Sequence, residues 1–331
     1  MAAPAHHTIH TFKEYHWLPE RHGTITELCE AAAEATPQLR SVSHYSNGIL
    51  DFVVCRTERS PLSSAVAESG GDAQDEALPG SRLLLCTEDL DARLHRLRTG
   101  DLMRTVVAGP AGGLWGGRVK PGEYLAAVAD ASADVAAMDR TMNALASRIR
   151  SEVHDLPPEL LGGEELRNFE APRPSAQLRI DLGTGADQNG AYEQRLRSLW
   201  GAHLSVTDLQ YAAFYRDLTL VCVGDVFEDE FLGPRFMDVG IRARRTAYQD
   251  LTRTLRGHLA RLADALEMVG APGGTRPPMN RLVLDVQEGA VYFLWPSPRE
   301  FVIGVTLNQT RVGQAEARLR ALAGALHGLR A

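Results

Sequence analysis

The sequence has few cysteines, no long apolar run and no paired-cysteine motif. Its four cysteines, Cys29, Cys55, Cys86 and Cys222, are widely spaced, so we expect small buried side chains and neither a metal nor a redox site. No stretch approaches the ~20 apolar residues that a membrane span needs, and the first residues lack the pattern of a signal peptide. We therefore expect a cytoplasmic protein that does not insert into a membrane.

Lysine is almost absent. Lys13 and Lys120 are the two lysines among 35 basic residues, and 42 acidic residues give the 331-residue chain a net charge of −7. Nucleic-acid binding needs a concentrated basic surface, so this balance argues against nucleic acid as the main partner. With 44% hydrophobic and 23% charged residues, the composition is that of an ordinary globular protein of about two domains.

An internal similarity divides the chain. Residues 103–149 align without gaps on residues 280–326, and Gly112 and Gly289 occupy matching turns. In each copy the pattern predicts two strands joined by that turn, then a proline-bearing turn, a more apolar third strand and an amphipathic helix. Chance similarity of two α+β stretches is the alternative. The repeat is the better explanation, because the aligned stretch is long and ungapped.

The upstream halves agree more loosely. A helix at 26–36 and a hairpin around Asn47-Gly48 precede the first copy. A helix at 192–204 and a hairpin around 216–217, whose first strand is predicted at 206–215, precede the second. With a further helix in the middle, each unit is predicted as αββαβββα. The fold class is therefore α+β, with a five-stranded antiparallel sheet in each unit. A short alternating stretch at 177–182 is a candidate additional strand.

Leucines at alternating three- and four-residue spacing mark the middle helix of each half. Such a narrow stripe suits packing on the helix's own sheet or pairing with a similar helix, and both uses stay open. The leucines of the candidate seam are Leu90, Leu94, Leu97, Leu251, Leu255, Leu259 and Leu262.

Polar and proline-rich stretches predict where the domains, the linker and the loops begin and end. We expect a first domain at 1–154, a linker at 155–175 and a second domain at 176–331. Residues 58–80 are rich in serine, glycine and acidic side chains and are predicted as a loop too polar to pack. Residues 271–278 are predicted as a glycine- and proline-rich loop.

In both halves the last strand runs directly into the final helix, as EYLAAVADASADVAAMDRTMNAL and EFVIGVTLNQTRVGQAEARLRAL. Together with the αββαβββα order, these passages resemble the Roadblock (dynein light-chain-like) domain, in two tandem copies over about two-thirds of the chain. The connections at 58–80 and 224–243 are longer than in that family. The resemblance implies pairing through the middle helices, here as an internal pseudo-dimer. It also implies binding to small Ras-like GTPases or an adaptor role, without catalytic residues.

Two stretches are weighed for ligand chemistry. The N-terminal histidines lack carboxylates or cysteines at ligand spacing, so a solvated tail or an added strand is favoured over a metal site. They are His6, His7, His10, His16 and His22. The glycine-rich stretch 109–117 lacks the Lys-Ser/Thr of a phosphate-binding loop and is predicted as a hairpin turn.

An acidic run and three arginines form the candidate partner contact. The composition of the acidic run, residues 225–230, predicts a solvated loop, and contact with a partner is the alternative. Arginines near a helix start are disfavoured by the helix dipole, which indicates a specific ion pair. The residues are Asp225, Glu228, Asp229, Glu230, Arg242, Arg244 and Arg245.

The leading hypothesis is a non-enzymatic interaction or scaffold protein that uses no cofactor and no metal. Its partner would be a protein such as a small GTPase, with further self-association as an option. The alternatives are a secretion-chaperone-like module for an effector or unfolded segment, and an enzyme with its site between the halves. The order of strands in the sheet distinguishes the Roadblock hypothesis from the chaperone hypothesis. The Roadblock hypothesis requires the two hairpin strands to lie beside the last three strands in one sheet.

Overall fold

The computed structural model describes residues 7–58, 70–131, 134–158, 161–162, 173–186, 190–270 and 279–328. The chain forms two units, each assembled from separate stretches of sequence. The first unit is Met1–Glu88, Thr105–Glu159 and Leu259–Pro277. The second unit is Asp89–Arg104, Leu160–His258 and Pro278–Ala331. The domain limits at 154 and 176 stay a prediction.

The first half of the chain supplies most of the first unit. Its elements are β1 (His7–Lys13), α1 (Pro19–Ala35), β2 (Leu39–Ser46), β3 (Ile49–Glu58), α2 (Gly70–Leu94), a 3-10 turn (His95–Leu97), β4 (Leu102–Gly109), β5 (Gly112–Lys120), β6 (Glu123–Asp130), α3 (Val135–Arg148) and a π-helical turn (Ile149–Val153). The strand order is β1-β3-β2-β6-β5-β4, and the pairings from β1 through β5 are antiparallel. β1 is the added strand that was one interpretation of the histidine-rich segment.

The Asn47-Gly48 turn fixes the first hairpin as predicted. Both residues have positive φ, 51° and 79°, which suits a tight turn between right-twisted strands. β2 occupies the predicted residues 39–46. The turn predicted for the glycine-rich stretch 109–117 is limited to residues 110–111, because 112–117 belong to β5. All four cysteines are buried, also as predicted.

Helices cover both faces of the first unit's sheet. α1 and α3 pack on one face, where Trp115 Nε1 donates a hydrogen bond to Asp139 of α3 at 3.2 Å. The next residue, Gly116, faces the opposite side, and a Cβ there would lie 3.0 Å from Leu83 of α2. α2 can therefore approach the sheet closely because β5 has no side chain at this position. Val269 also packs in this unit, and Arg40 Nη1 donates to its carbonyl at 3.1 Å.

The second half of the chain supplies most of the second unit. Its elements are β7 (Arg179–Leu182), α4 (Gly190–His203), β8 (Tyr211–Arg216), β9 (Thr219–Asp225), a 3-10 turn (Glu230–Phe236), α5 (Ile241–Thr254), α6 (Arg256–Glu267), β10 (Arg281–Val286), β11 (Gly289–Ser297), β12 (Glu300–Thr306), a 3-10 turn (Gln309–Arg311) and α7 (Val312–Gly328). The order is β10-β11-β12-β8-β9-β7, antiparallel throughout. β7 is the additional strand considered for 177–182.

The second unit also has helices on both faces of its sheet. α4 and α7 pack together on one face, where the Trp200 indole donates to the Ala212 carbonyl at 3.0 Å. On the other face, beneath α5, an aromatic cluster fills the core. Its members are Tyr211, Phe227, Phe236 and Tyr248. Both units are thus α+β, with an antiparallel sheet and helices, as predicted.

The structure corrects the predicted loop at 58–80. Residues 70–80 are the first turns of α2, whereas 59–69 lie outside the described residues. Ala77 packs against Val53, and Glu76 forms an ion pair with Arg40 at 2.6 Å. Polar composition was therefore a poor guide, because a few contacts on the sheet suffice to hold a helix with an exposed polar face.

Two further boundaries differ from the sequence expectation. The predicted long middle helix of the second half is interrupted at Leu255, where φ −95° and ψ 0° end α5 before α6 begins. The strand predicted from residue 206 starts at Tyr211, because Gln210 turns its side chain back to bond the Val206 carbonyl. The edge strands β1 and β7 extend the predicted five strands of each copy, at the two stretches considered for an added strand. The predicted loop at 271–278 lies outside the described residues.

None of the helices in the described ranges has the length and apolar character needed to cross a bilayer.

Candidate interaction surface

A groove of about 680 Å³ lies on the second unit between α5 and the end of α2 with its 3-10 turn. Leu97 and Leu251 are buried at its floor. α5 lines it with residues at helical spacing, which places them on one face of the helix. They are Ala243, Thr246, Ala247, Asp250, Leu251 and Thr254.

Three arginines give the groove its charge. Arg93 and Arg96 stand on the wall formed by the end of α2 and its 3-10 turn, and Arg242 stands on the α5 wall. All three are exposed, and across the described residues none forms an ion pair. The groove's carboxylate, Asp250, is engaged by Arg253 at 3.0 Å. The groove therefore presents a positive rim around an apolar floor.

The predicted arginines of α5 point in three directions, because successive helix positions are about 100° apart. Arg242 lines the groove, whereas Arg244 is 1% exposed and lies 5.3 Å over the Phe236 ring. Arg245 donates two hydrogen bonds of 2.7 Å to the Asp225 carboxylate, and these bonds raise the pKa of the Arg245 guanidinium. The ion pair indicated by arginines near a helix start is therefore present inside the chain.

The acidic run divides between internal roles and open surface. Asp225 is buried in its pair with Arg245, and Asp229 accepts hydrogen bonds from the Phe231 amide and the Ser175 hydroxyl. Glu228 and Glu230 are exposed, and Glu228 also contacts Arg245 at 2.9 Å. Contact of this run with a partner stays a prediction.

The leucines of the candidate seam are buried except for Leu259, which is half-buried. Leu97 and Leu251 come together in the groove of the second unit. Leu259 and Leu262 belong to the first unit. Burial is consistent with packing on a sheet and with pairing, so the seam also stays a prediction.

The sequence did not predict a cluster of histidines around a buried carboxylate in the first unit. Asp51 of β3 accepts hydrogen bonds from His44 Nδ1 at 2.8 Å, Ser46 Oγ at 2.6 Å and His16 Nε2 at 3.1 Å. His22 Nε2 lies 3.6 Å from the same carboxylate. Burial would raise the pKa of Asp51, but the bonds from His44 and Ser46 outweigh it and lower that pKa.

His44 links this carboxylate to a second one. Its Nε2 lies 3.3 Å from Glu123, which also accepts from His154 Nε2 at 2.8 Å. A carboxylate therefore faces each ring nitrogen of His44, an arrangement that favours the protonated ring. Although burial lowers the pKa of His44, its two carboxylate partners raise it above the ordinary value. Burial likewise raises the pKa of Glu123, but His44 and His154 bring it down to about 2.

The two outer histidines are oriented by their partners. Lys120 Nζ donates to His154 Nδ1 at 2.9 Å, which turns His154 Nε2 toward Glu123. His22 Nδ1 accepts the Leu18 amide proton at 3.0 Å, so its proton sits on Nε2, facing Asp51. Burial lowers the pKa of His22.

One exposed group brings metal-ligating atoms close together. Within the described residues, Asp91, His95 and Asp101 place theirs within 4.8 Å of one another. The Asp91 carboxylate already accepts the Leu102 amide proton at 2.7 Å. The group lies at the surface beside the first residue of β4. The hydrogen bond from Leu102 to Asp91 gives this carboxylate a role in holding the start of that strand.

No protein-family model matches the chain, and no curated protein matches it. Among solved structures, it is similar to the Roadblock/LC7 domain from Streptomyces avermitilis, with 19% identity, a TM-score of 0.29, and coverage of 39% of this chain and 96% of that one. It is also similar to MglB in a tetrameric arrangement, with 14% identity, a TM-score of 0.31, and coverage of 41% of this chain and 91% of that one.

Proposed function

We propose that this chain is a non-enzymatic protein-interaction module built from two Roadblock-like units. The strand order supports it. The hairpin strands β2 and β3 lie beside β6, β5 and β4, and β8 and β9 lie beside β12, β11 and β10 in the same order. The Roadblock hypothesis required this arrangement. The αββαβββα order occurs from α1 to α3. It occurs again from α4 to α7 with its middle helix divided into α5 and α6, which supports two copies.

The buried histidine cluster favours binding over catalysis. A nucleophilic serine needs a base that takes its proton, but Ser46 donates to the Asp51 carboxylate and not to a histidine. Asp51 and Glu123 are occupied by donors from their own unit. Such groups stabilise the fold around them, so we expect no turnover of ester, phosphate or glycoside substrates by the purified chain.

The proposed partner is a small Ras-like GTPase, bound in a nucleotide-dependent way. The test is binding of the whole chain to purified small GTPases, each loaded with GDP or with a non-hydrolysable GTP analogue, in titration calorimetry. Preference for one nucleotide state supports the proposal. Equal, weak binding to every GTPase in both states contradicts the GTPase part, and binding of a different protein would leave the interaction function intact.

We further propose that the middle helices of the two sequence copies pair through the leucine seam. Leu255 and Leu262 are both fully buried, as the pairing requires. Replacing both with arginine is expected to make the chain more sensitive to protease, while the circular-dichroism signal of the sheets is kept. The matched control is Leu218→Arg, because Leu218 lies in a turn and is 70% exposed. Unchanged proteolysis of the double variant would show that the seam is assigned wrongly.

A further inference from the structure

We infer that the groove of the second unit binds an acidic amphipathic helix of a protein partner. This inference rests on the proposed interaction function and names the chemistry of the partner and the place where it docks.

The shape of the groove suits a helix. The α5 wall carries small side chains at Ala243, Thr246 and Ala247, so an incoming helix can approach its backbone closely. Leu97 and Leu251 supply an apolar floor. α5 has 14 residues and is therefore about 21 Å long, which matches four turns of a bound helix. Helices that bind in grooves insert apolar side chains at i, i+3, i+4 and i+7.

The charge of the groove selects an acidic partner. Arg93, Arg96 and Arg242 stand on both walls, exposed and without ion pairs among the described residues, although the chain as a whole carries −7. Unpaired like charges on facing walls repel one another, and carboxylates on the flanks of a bound helix would neutralise them. Asp250 weakens this field little, because Arg253 already pairs with it.

The groove favours a protein helix over a nucleic acid. Single-stranded nucleic acids are held by aromatic rings on which bases stack, and the described residues lining the groove include no aromatic ring. Its floor is leucine and alanine, which match leucine, methionine or phenylalanine side chains of a peptide. The arginines then act as a rim that orients the helix and speeds its association.

The experiment titrates the whole chain with a fluorescent helical peptide of about 14 residues, with leucine at i, i+3, i+4 and i+7 and glutamate on the flanks. Two control peptides replace the glutamates with lysine or the leucines with serine. We expect binding of the first peptide only, weakened by added salt. Equal binding of the lysine peptide or of the serine peptide would overturn the inference.

Protein variants locate the site. Arg93→Glu, Arg96→Glu and Arg242→Glu are each expected to weaken binding about fivefold to tenfold, and the triple variant to abolish it. Ala243→Trp, which fills the groove, is expected to block binding. The matched control is Arg195→Glu, an exposed arginine on α4 outside the groove. Full affinity in the triple variant, with a native circular-dichroism spectrum, would refute the site.

The same variants separate this inference from the proposed function. If the peptide fails to bind while a GTPase binds the wild type and the triple variant equally, the groove inference is wrong and the interaction function stands. If the peptide binds and every GTPase fails, the groove stands and the GTPase proposal is wrong. Displacement of the peptide by a short RNA of equal affinity would overturn the inference in favour of a general anion surface.

Discussion

Replacing His44 tests the buried network most directly. This side chain is 1% exposed and lies between Asp51 and Glu123, so His44→Gln leaves two buried carboxylates facing a group that cannot be protonated. A fall in the pKa of Glu123 from 4.5 to about 2 corresponds to about 3 kcal/mol of stabilisation, shared with His154. Breaking a buried ion pair costs about 3–5 kcal/mol. We expect His44→Gln to lower the free energy of unfolding by about 3 kcal/mol.

The pKa shifts of His44 and Glu123 predict how the effect of His44→Gln on stability changes with pH. The folded-state pKa of His44 is raised above 6.5, so its stabilisation is complete below pH 6.5 and is lost as the pH rises through that raised value. The folded-state pKa of Glu123 is lowered, so its stabilisation is complete above pH 4.5 and is lost as the pH falls toward 2. The difference between wild type and variant should therefore be largest between these limits and shrink at alkaline pH.

Urea unfolding at a series of pH values measures this difference, with hydrogen exchange to assign the transition to the first unit. His10→Gln, at an exposed position of β1, is the matched control and should change stability by less than about 0.5 kcal/mol. A variant that neutralises both acids as well, with Asp51→Asn and Glu123→Gln, should recover part of the loss. A loss below about 1 kcal/mol near pH 6, or one that increases as the pH rises above neutral, would refute the assignment of His44 as the bridge between the two carboxylates.

Three further changes have defined outcomes. Gly304→Ala should cost about 1–3 kcal/mol in urea unfolding, because its Cβ would lie 2.6 Å from Leu319, and adding Leu319→Ala should relieve part of that clash. Arg281→Met should cost about 3 kcal/mol at neutral pH, because buried Glu316, whose pKa is lowered to about 2, loses its bonds to Arg281 and keeps only the half-exposed Arg320 as a partner. The deficit should shrink below pH 4.5 in the same assay. Gly48→Val should lower the thermal midpoint through backbone strain alone, at about 1 kcal/mol, since φ is +79° and nothing lies within 4 Å of the new side chain.

Local signals predicted much of the fold. The Asn47-Gly48 dipeptide gave the correct hairpin because both residues tolerate the positive φ that the turn requires. The passages from β6 into α3 and from β12 into α7 were recognisable because strand and helix periodicity change within a few residues. The start of α2 was missed because it depends on contacts with the sheet, including the pair between Arg40 and Glu76.

The candidate site was partly predictable. The pair between Arg245 and Asp225 was indicated because arginines near a helix start need a compensating charge. The histidine network was not, because His44, Glu123 and His154 come from three elements that only the pairing of β2 with β6 brings together. The available signal was a polar pair, His44 and Asp51, within otherwise apolar strands on either side of a turn. Such a pair does not reveal its third partner.

The assembly of each unit from distant segments has a consequence for synthesis on the ribosome. The first unit includes residues 259–277, where Val269 receives the hydrogen bond from Arg40, and these emerge only after more than three-quarters of the chain has been made. The second unit includes residues 89–104, which emerge from the ribosome long before the strands of the second unit's sheet have been made. Neither unit can therefore complete its folding before the other has been largely translated. Nascent chains stalled before residue 259 should hold the first sheet in a more protease-sensitive form than chains stalled after residue 277.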